Sequence, residues 1–235
     1  MKKAFSLLEL CFAIVILGIV FAVAKLNFKD NKLDLAAKQI LNDLAYTRNL
    51  ALIQNSFKNS GKSEWFKARW QLYFIRSKSA TNNEQTYTIF LDKNADGNAN
   101  IGKSDVNLDR EIAVDILNPQ KLMNSGQSGV IDKDDERVSA RFNIQKSYGV
   151  ERVEFKGACS AMTRIIFDEF GRVHSPLRTA NKPYEKALFH KNEACVIKLI
   201  AKDEALCIVI DTLSGYAYLA EFIDFKGKKY ECIKL

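Results

Sequence analysis

Residues 1–25 read MKKAFSLLELCFAIVILGIVFAVAK, and Glu9 is the one acidic residue among them. Residues 5–24 are apolar with three exceptions, and at ~1.5 Å per residue they are long enough to cross a ~30 Å hydrocarbon layer. We therefore expect a membrane helix, with Lys2 and Lys3 holding the N-terminus on the cytoplasmic side. A carboxylate in such a helix costs at least ~2.5 kcal/mol near the bilayer centre and is retained mainly where it has a partner.

This segment resembles the class III leader and N-terminal helix of type IV pilins and type II secretion pseudopilins. In that family a prepilin peptidase cuts before a Phe and methylates the new N-terminus. The resemblance implies cleavage between Ala4 and Phe5, although the family usually has Gly where this chain has Ala4, and Leu26 replaces the usual helix proline. The ammonium of Phe5 would then pair with Glu9 of its own or a neighbouring subunit during assembly. A signal peptide cut near Ala24, or an uncleaved anchor, is the alternative.

Residues 33–55, LDLAAKQILNDLAYTRNLALIQN, have the apolar spacing of an amphipathic helix. One face carries Leu33, Ala37, Ile40, Leu44 and Ala51. No Gly or Pro separates this segment from the anchor, so we expect one helix over residues 5–55, about 75 Å long. Its membrane half would be residues 5–25 and its amphipathic half residues 26–56, after a leader of residues 1–4.

Residues 57–235 change to short runs rich in aromatic and β-branched residues, which predict strands joined by hairpins. The runs are WQLYFIR, TYTIFLD, REIAVDIL, RVSARFNIQ, VERVEF, RIIFDEFGRVHS, ACVIKLIA, LCIVID, GYAYLAEF and KYECIKL. The expected fold class is α+β, with the long N-terminal helix packed on an antiparallel β-sheet domain, as in pilins. The segments AAKQILNDLAYTRNLALIQN, IFLDKNADGNANIGKSDVNLDREI, IIFDEFGRV and IVIDTLSGYAYL resemble, more narrowly, the H-type minor pseudopilins and the fimbrial T-type minor pilins.

The stretch LDKNADGNANIGKSD at residues 91–105 matches two ligand-binding patterns. Its alternating oxygen side chains follow the first nine positions of an EF-hand calcium loop, but Lys103 stands where a bidentate Glu is required. Candidate calcium ligands are Asp92, Asn94, Asp96 and Asp105. Residues 97–104 also fit a P-loop, although the nearby carboxylates would repel phosphate and a strand-like run follows. A hairpin loop built from turn residues is the alternative to both.

Five cysteines are present, and Cys11 lies in the anchor. The other four, Cys159, Cys195, Cys207 and Cys232, predict two disulfides in an oxidising environment. Sequence leaves three connectivities open, of which we favour Cys159 with Cys195 and Cys207 with Cys232. A four-cysteine metal site is the alternative, but no CxxC spacing supports it.

The net charge of +7 is compatible with an anionic partner and does not identify one. A basic C-terminal stretch could follow a phosphate backbone. It contains Arg164, Arg172, Arg178, Lys182 and Lys186. The two tryptophans in WFKARW could stack on bases, but core packing is the favoured interpretation. His174 and His190 lie near no nucleophile or ligand cluster in the sequence, so we expect surface or loop positions for both.

The resemblance implies a minor pilin or pseudopilin, a structural subunit without catalytic activity or an organic cofactor, in a filament for type II protein secretion or DNA uptake in natural transformation. Expected partners are other pilin-like subunits, a prepilin peptidase, an inner-membrane platform protein and an assembly ATPase. The expected location is the bacterial inner membrane, single-pass, with the C-terminal domain in the periplasm. The alternative functions are a DNA receptor in competence and a membrane-tethered calcium-binding periplasmic protein.

Overall fold

The computed structural model describes residues 7–27, 32–54, 63–97, 111–126, 131, 134–225 and 227–234. The chain divides into two compact units, Met1–Asn31 and Lys32–Leu235. The first unit contains helix α1 (Leu7–Asn27). The second begins with helix α2 (Lys32–Ile53) and contains two short helices, α3 (Lys78–Thr81) and α4 (Ile144–Tyr148).

Antiparallel sheets make up most of the second unit. One four-stranded sheet has the order β2 (Thr86–Leu91), β1 (Trp70–Ile75), β4 (Arg164–Phe167) and β5 (Val173–His174). The other has the order β3 (Arg152–Gly157), β6 (Cys195–Ala201), β7 (Glu204–Ile210) and β8 (Ala217–Ala220). A separate ribbon pairs β9 (Phe222–Phe225) with β10 (Lys228–Glu231).

Helix α2 packs on strands of both sheets, including β1, β4, β6, β7 and β8. The five residues expected on its apolar face are all buried, so this part of the helix prediction is confirmed. They join the main core together with side chains such as Leu72, Ile165 and Ile208 from the two sheets. Burial of this face supplies the stability that helix propensity alone does not give.

The predicted architecture, one long helix packed on an antiparallel sheet in the manner of pilins, is wrong. The helical part consists of α1 and α2, which belong to different compact units, and the rest of the chain is dominated by two antiparallel sheets. The absence of Gly and Pro led to the prediction of continuity. Helices are stabilised mainly by the face that they bury, and among the side chains whose burial is described the buried face starts at Leu33 in α2. Residues 28–31, which join the two helices, lie outside the described residues.

Among the helices that the structure describes, none is both long enough and apolar enough to cross a membrane. This corrects the predictions of a transmembrane helix over residues 5–25 and of a single-pass inner-membrane protein with a periplasmic domain. The physical reason is the position of the charges in α1. Glu9 and Lys25 enclose only residues 10–24, which span about 22 Å of helix at ~1.5 Å per residue, less than the ~30 Å hydrocarbon core.

Two expected strands are also absent from the described residues. The run REIAVDIL forms only isolated bridges, one between Ile112 and Phe90 and one between Val114 and Leu122. The run RVSARFNIQ forms a 3-10 turn and the start of α4 instead. Local chemistry explains α4, because the Asn143 side chain accepts a hydrogen bond from the N–H of Lys146 and Gly149 ends the helix in the left-handed conformation.

The turn between β7 and β8 requires a glycine. Gly215 has φ +68°, and a Cβ placed there would lie 2.0 Å from the carbonyl oxygen of Gly171. Arg48 of α2 donates a hydrogen bond from Nε to the Ser214 carbonyl at 2.7 Å, so this turn also fastens the helix to the sheets.

We expect Gly215→Ala to lower the free energy of unfolding by about 2–3 kcal/mol, because a left-handed alanine is strained and its Cβ overpacks the turn. Gly227→Ala is the matched control, since Gly227 has φ +81° and nothing within 4 Å of its Cβ position. The control should lose only about 1 kcal/mol, the cost of backbone strain. Urea unfolding measures both variants, and equal losses would contradict the crowding argument.

Candidate functional site

Helix α1 presents an exposed apolar surface. Every side chain described in it, at residues 7–20, is exposed. The large apolar members, each between 54% and 82% exposed, are Leu7, Leu8, Leu10, Phe12, Ile14, Val15, Ile16, Leu17, Ile19 and Val20. An exposed apolar surface of this extent typically marks a site of association.

Glu9 lies in the first turn of α1. A carboxylate in that turn is favourably placed against the partial positive charge of the helix N-terminus. The thiol of Cys11 is free and exposed two residues further on. The expected processing residues Ala4 and Phe5 lie outside the described residues, so the ammonium partner proposed for Glu9 stays a prediction.

The loop that follows β2, residues 92–97, carries the second candidate site. Asp92 directly follows the strand residue Leu91, which pairs with Trp70 of β1, and the Asp92 N–H donates to the Arg69 carbonyl at 3.2 Å. The sheet therefore continues to hold the chain at Asp92. Asp92 is only 3% exposed, and its Oδ2 accepts a hydrogen bond from the Gly97 N–H at 2.9 Å.

The pKa of the Asp92 carboxyl is higher than is usual for an aspartate. Burial and the nearby charge of Asp96 raise the pKa of Asp92 to about 7, against the lowering effects of the Gly97 N–H and Arg164. The other carboxylate oxygen, Oδ1, is buried and has no hydrogen-bond partner among the described residues. A buried acceptor without a partner carries a desolvation cost of about 1–3 kcal/mol or more.

Of the expected calcium ligands, the structure places Asp92, Asn94 and Asp96 in this loop, with Asn94 exposed and Asp96 half-buried. Asp105 lies outside the described residues, as does all of the P-loop match except Gly97. Within the described part of the chain there is no group of three or more His, Cys, Asp or Glu side chains that could hold a metal ion. The two carboxylates of this loop, Asp92 and Asp96, are one fewer than such a group requires, and Asn94 is of a different residue type.

The cysteines form two disulfides, Cys159–Cys195 and Cys207–Cys232, with Cα–Cα distances of 4.9 and 5.7 Å. This is the connectivity that we favour from the sequence. Cys195 pairs with Gly157 across β3 and β6, which brings Cys159 of the following turn close to it. The second disulfide ties the C-terminal Cys232 to the middle of β7.

The basic stretch divides between interior and surface. Arg164 is 8% exposed and donates to Gln71 Oε1 and to the Gly97 carbonyl, while Arg172 donates from Nε to Asp168 Oδ2 at 2.8 Å. Arg178 and Lys182 are exposed, and Lys186 is half-buried with its Nζ 3.9 Å from the Glu185 carboxylate. Only these last three residues face solvent to a useful degree.

The expectation that His174 is a surface or loop residue is wrong. It lies in β5, is fully buried, and its Nε2 is 2.9 Å from Asp168 Oδ2. Burial would raise the pKa of Asp168, but hydrogen bonds from His174 and the Arg172 N–H lower it to about 2. Burial also lowers the pKa of His174. The pair is thus a neutral imidazole on a buried carboxylate, and it fastens the β4–β5 hairpin.

The two tryptophans and His190 occupy ordinary positions. Trp65 and Trp70 are half-buried, and Trp65 packs edge-to-face on Phe66 at 6.2 Å between ring centroids. His190 is exposed, as expected. The half-burial of both tryptophans agrees with the favoured core-packing interpretation.

A pocket of about 320 Å³ opens between α3, the start of β2 and α4. Two of its charged side chains pair with each other, because Lys146 Nζ lies 3.2 Å from Glu84 Oε1, and the Asn143 amide donates to Glu84 Oε2 at 2.6 Å. Glu84 and Lys146 therefore give the pocket a polar lining, but their charges already neutralise each other.

No protein-family model, curated protein or solved structure matches this chain.

Proposed function

We propose that this chain is a subunit of a pilin-like filament, in which α1 packs against the α1 helices of neighbouring subunits. The observation that supports the proposal most directly is the apolar surface of α1, where ten large side chains are at least 54% exposed. Contiguous apolar surface of this extent is rarely left uncovered in a functioning protein. The proposal does not depend on a membrane-spanning role for α1.

The division of the chain into two units supports the same function. Helix α2 already has its own partner, because its apolar face is buried on the sheets. Helix α1 therefore supplies association surface while Lys32–Leu235 supplies a folded body. The two disulfides suit an assembly that works in an oxidising environment.

In this proposal, Glu9 fixes how the α1 helices of neighbouring subunits align along their length. A single carboxylate among packed apolar helices restricts the alignments in which its charge finds a partner, as buried polar groups do in other helix assemblies. The proposed partner is the N-terminal ammonium of Phe5, released by a prepilin peptidase. Other pilin-like subunits, a platform protein and an assembly ATPase complete the set of proposed partners, and no organic cofactor is required.

The filament would serve protein secretion or DNA uptake. Direct binding of DNA, the alternative function, has weaker support because Arg164 and Arg172 point their charges into protein contacts. Arg178 and Lys182 remain on the surface for such a role. Two phosphate contacts give little affinity at physiological salt.

The test uses the free thiol of Cys11, since the other four cysteines are in disulfides. We expect a bismaleimide to join pairs of full-length chains in their own cells into covalent dimers through Cys11, because each chain carries one free thiol and each reagent links two thiols. The matched control is the double variant Cys11→Ser, Thr179→Cys, which moves the single free thiol from α1 to the second unit. Thr179 is suitable because it is exposed. A covalent dimer that is absent at Cys11, or equally abundant at residue 179, would refute the proposal.

The role of Glu9 is tested in the same assay. Glu9→Gln preserves shape and removes the charge, and we expect it to reduce the yield of the Cys11-linked dimer roughly tenfold, because polar contacts between packed apolar helices contribute about 1–2 kcal/mol. An undiminished yield of the dimer would mean that α1 still associates without the Glu9 charge, and it would exclude that charge as the group that sets the alignment of the helices.

A further inference from the structure

The 92–97 loop contains a buried carboxylate oxygen that none of the described residues bonds. Asp92 is more than nine-tenths buried, and among the described residues its Oδ1 has no hydrogen-bond donor. Asp168, another fully buried carboxylate, differs because donors reach both of its oxygens. Buried polar atoms are normally satisfied, so an orphaned oxygen indicates a missing ligand.

Two neighbouring side chains, Asn94 and Asp96, also carry oxygen atoms that can bind a cation. Asn94 and Asp96 alternate with Asp92 along the loop, and the charge of Asp96 acts on Asp92. The Asn94 side chain makes two long contacts with Asp96, one from Nδ2 to Oδ2 at 3.4 Å and one from the Asp96 N–H to Oδ1 at 3.4 Å. Contacts of that length are weak, so they hold the Asn94 side-chain oxygen only loosely against reorientation toward a cation.

We propose that the 92–97 loop binds a calcium ion through Asp92 Oδ1 and the side-chain oxygens of Asn94 and Asp96. Calcium fits these ligands because it is a hard cation that takes six to eight carboxylate, amide, carbonyl or water oxygens in flexible geometry. The negative charges of the buried Asp92 and the half-buried Asp96 repel each other, and a divalent cation relieves that repulsion. No His or Cys in the loop favours a transition metal.

The loop is held in place before any ion binds. Gly97 has φ +75°, and a Cβ there would meet the Arg178 backbone nitrogen at 2.5 Å, so the loop backbone lies directly against the 177–178 segment. Arg164 donates to the Gly97 carbonyl at 3.0 Å from the other side. Its guanidinium brings a positive charge near the loop, which opposes cation binding. We therefore expect a dissociation constant of about 10⁻⁴–10⁻³ M, as in extracellular calcium modules.

The experiment measures thermal unfolding of the full chain with CaCl2, against NaCl at matched ionic strength. At about 10 mM calcium we expect the Tm to rise by about 3–10 °C, the shift for a ligand at ten to a hundred times its dissociation constant. Asp92→Asn should abolish the shift, and Asp96→Asn should reduce it. Both are near-isosteric, and circular dichroism without calcium verifies that each variant folds.

Asp224→Asn is the matched control. Asp224 accepts a hydrogen bond from the N–H of a left-handed glycine, Gly227, at 2.8 Å, just as Asp92 does from Gly97, but it is exposed. The control should keep the full calcium shift. The proposal is overturned if calcium produces no shift beyond that of NaCl, or if the Asp92→Asn protein shifts as much as the parent. Isothermal titration with calcium gives the stoichiometry, which we expect to be one ion per chain.

Discussion

Replacement of Arg141 by leucine is expected to lower the free energy of unfolding by about 3–5 kcal/mol, the cost of breaking a buried ion pair by removing one partner. Arg141 donates from Nη1 to Asp43 Oδ2 at 2.9 Å and from Nη2 to Asp115 Oδ1 at 2.8 Å. The side chains of Asp43 and Asp115 are 2% and 1% exposed. Removing the guanidinium leaves two buried carboxylates facing each other without a cation.

The two carboxylates are not equivalent. Burial raises the pKa of Asp43, although Arg141 and Tyr87 oppose it. Burial would also raise the pKa of Asp115, but hydrogen bonds from Arg141, the Leu117 N–H and Ser139 lower it. Asp115 keeps two of those donors in the variant, at 3.0 and 2.9 Å, whereas Asp43 keeps only Tyr87. Asp43 is therefore the carboxylate that suffers most from the loss of Arg141.

The sign of the pH dependence follows from Asp43. An acid whose pKa is raised in the folded state binds more protons there than in the unfolded state, so its protonation favours folding as the pH falls. We expect the penalty of Arg141→Leu to be smaller at pH 5 than at pH 8. Adding Asp43→Asn should restore part of the stability at pH 8, since it removes the uncompensated charge. Urea unfolding with intact disulfides measures each free energy.

Arg137→Leu is the control for Arg141. Arg137 also binds a carboxylate, Asp135, at 3.0 Å, but the two side chains are 41% and 21% exposed. Exposed ion pairs contribute about 0–1 kcal/mol. If Arg141→Leu lost no more stability than Arg137→Leu, or lost the same amount at both pH values, the buried network would not have the role assigned to it.

The contacts of Arg141 with Asp43 and Asp115 could not be predicted from the sequence, unlike other parts of the fold. The buried face of α2 could be predicted because periodicity is local, and strands such as β6 and β7 could be predicted because continuous apolar runs bounded by turns are local. Arg141 lies 98 residues from Asp43 and 26 from Asp115. Nothing in the sequence around any of these residues signals the pairing, which exists only after α2 docks on the sheets.

The failed predictions have a related cause. One long helix packed on a sheet was inferred from the lack of helix breakers, but α1 and α2 belong to different compact units, and what each face packs against is not visible in local sequence. His174 had a weak local signal, because Asp168 and Gly171 frame a tight turn that pairs Phe167 with Val173 and Ile166 with His174. For the candidate calcium loop, the sequence shows the side chains that carry oxygen ligands. The burial of Asp92 Oδ1, and its lack of a donor among the described residues, appear only in the structure.

The two disulfides are expected to stabilise different parts of the chain. They close segments with separations of 36 and 25 residues, and chain-entropy estimates give about 3–4 kcal/mol for each loop. Cys159 and Cys195 are fully buried in the main core, which they share with α2. Cys207 and Cys232 belong to a smaller cluster with Val196, Val209 and Ile223.

Replacing Cys159 and Cys195 together by alanine should therefore lower the global free energy of unfolding by about 3–4 kcal/mol. Replacing Cys207 and Cys232 should act locally. Besides the disulfide, the C-terminal segment is held by a hydrogen bond from Lys198 Nζ to the Ile233 carbonyl and one from the Cys232 N–H to the Glu221 carbonyl. Without the disulfide, we expect the β9–β10 ribbon to open while the main core stays folded.

Limited trypsin digestion separates these outcomes, because Lys228 and Lys229 lie in β10. The variant lacking Cys207 and Cys232 should be cut there at least about tenfold faster than the parent under native conditions, since cleavage follows the population of the open form and each 1.4 kcal/mol changes it tenfold. The variant lacking Cys159 and Cys195 should show a lower urea midpoint instead. Cys11→Ala, which removes an exposed thiol, should change neither. Equal trypsin sensitivity of the two disulfide variants would mean that the ribbon and the main core unfold as one unit.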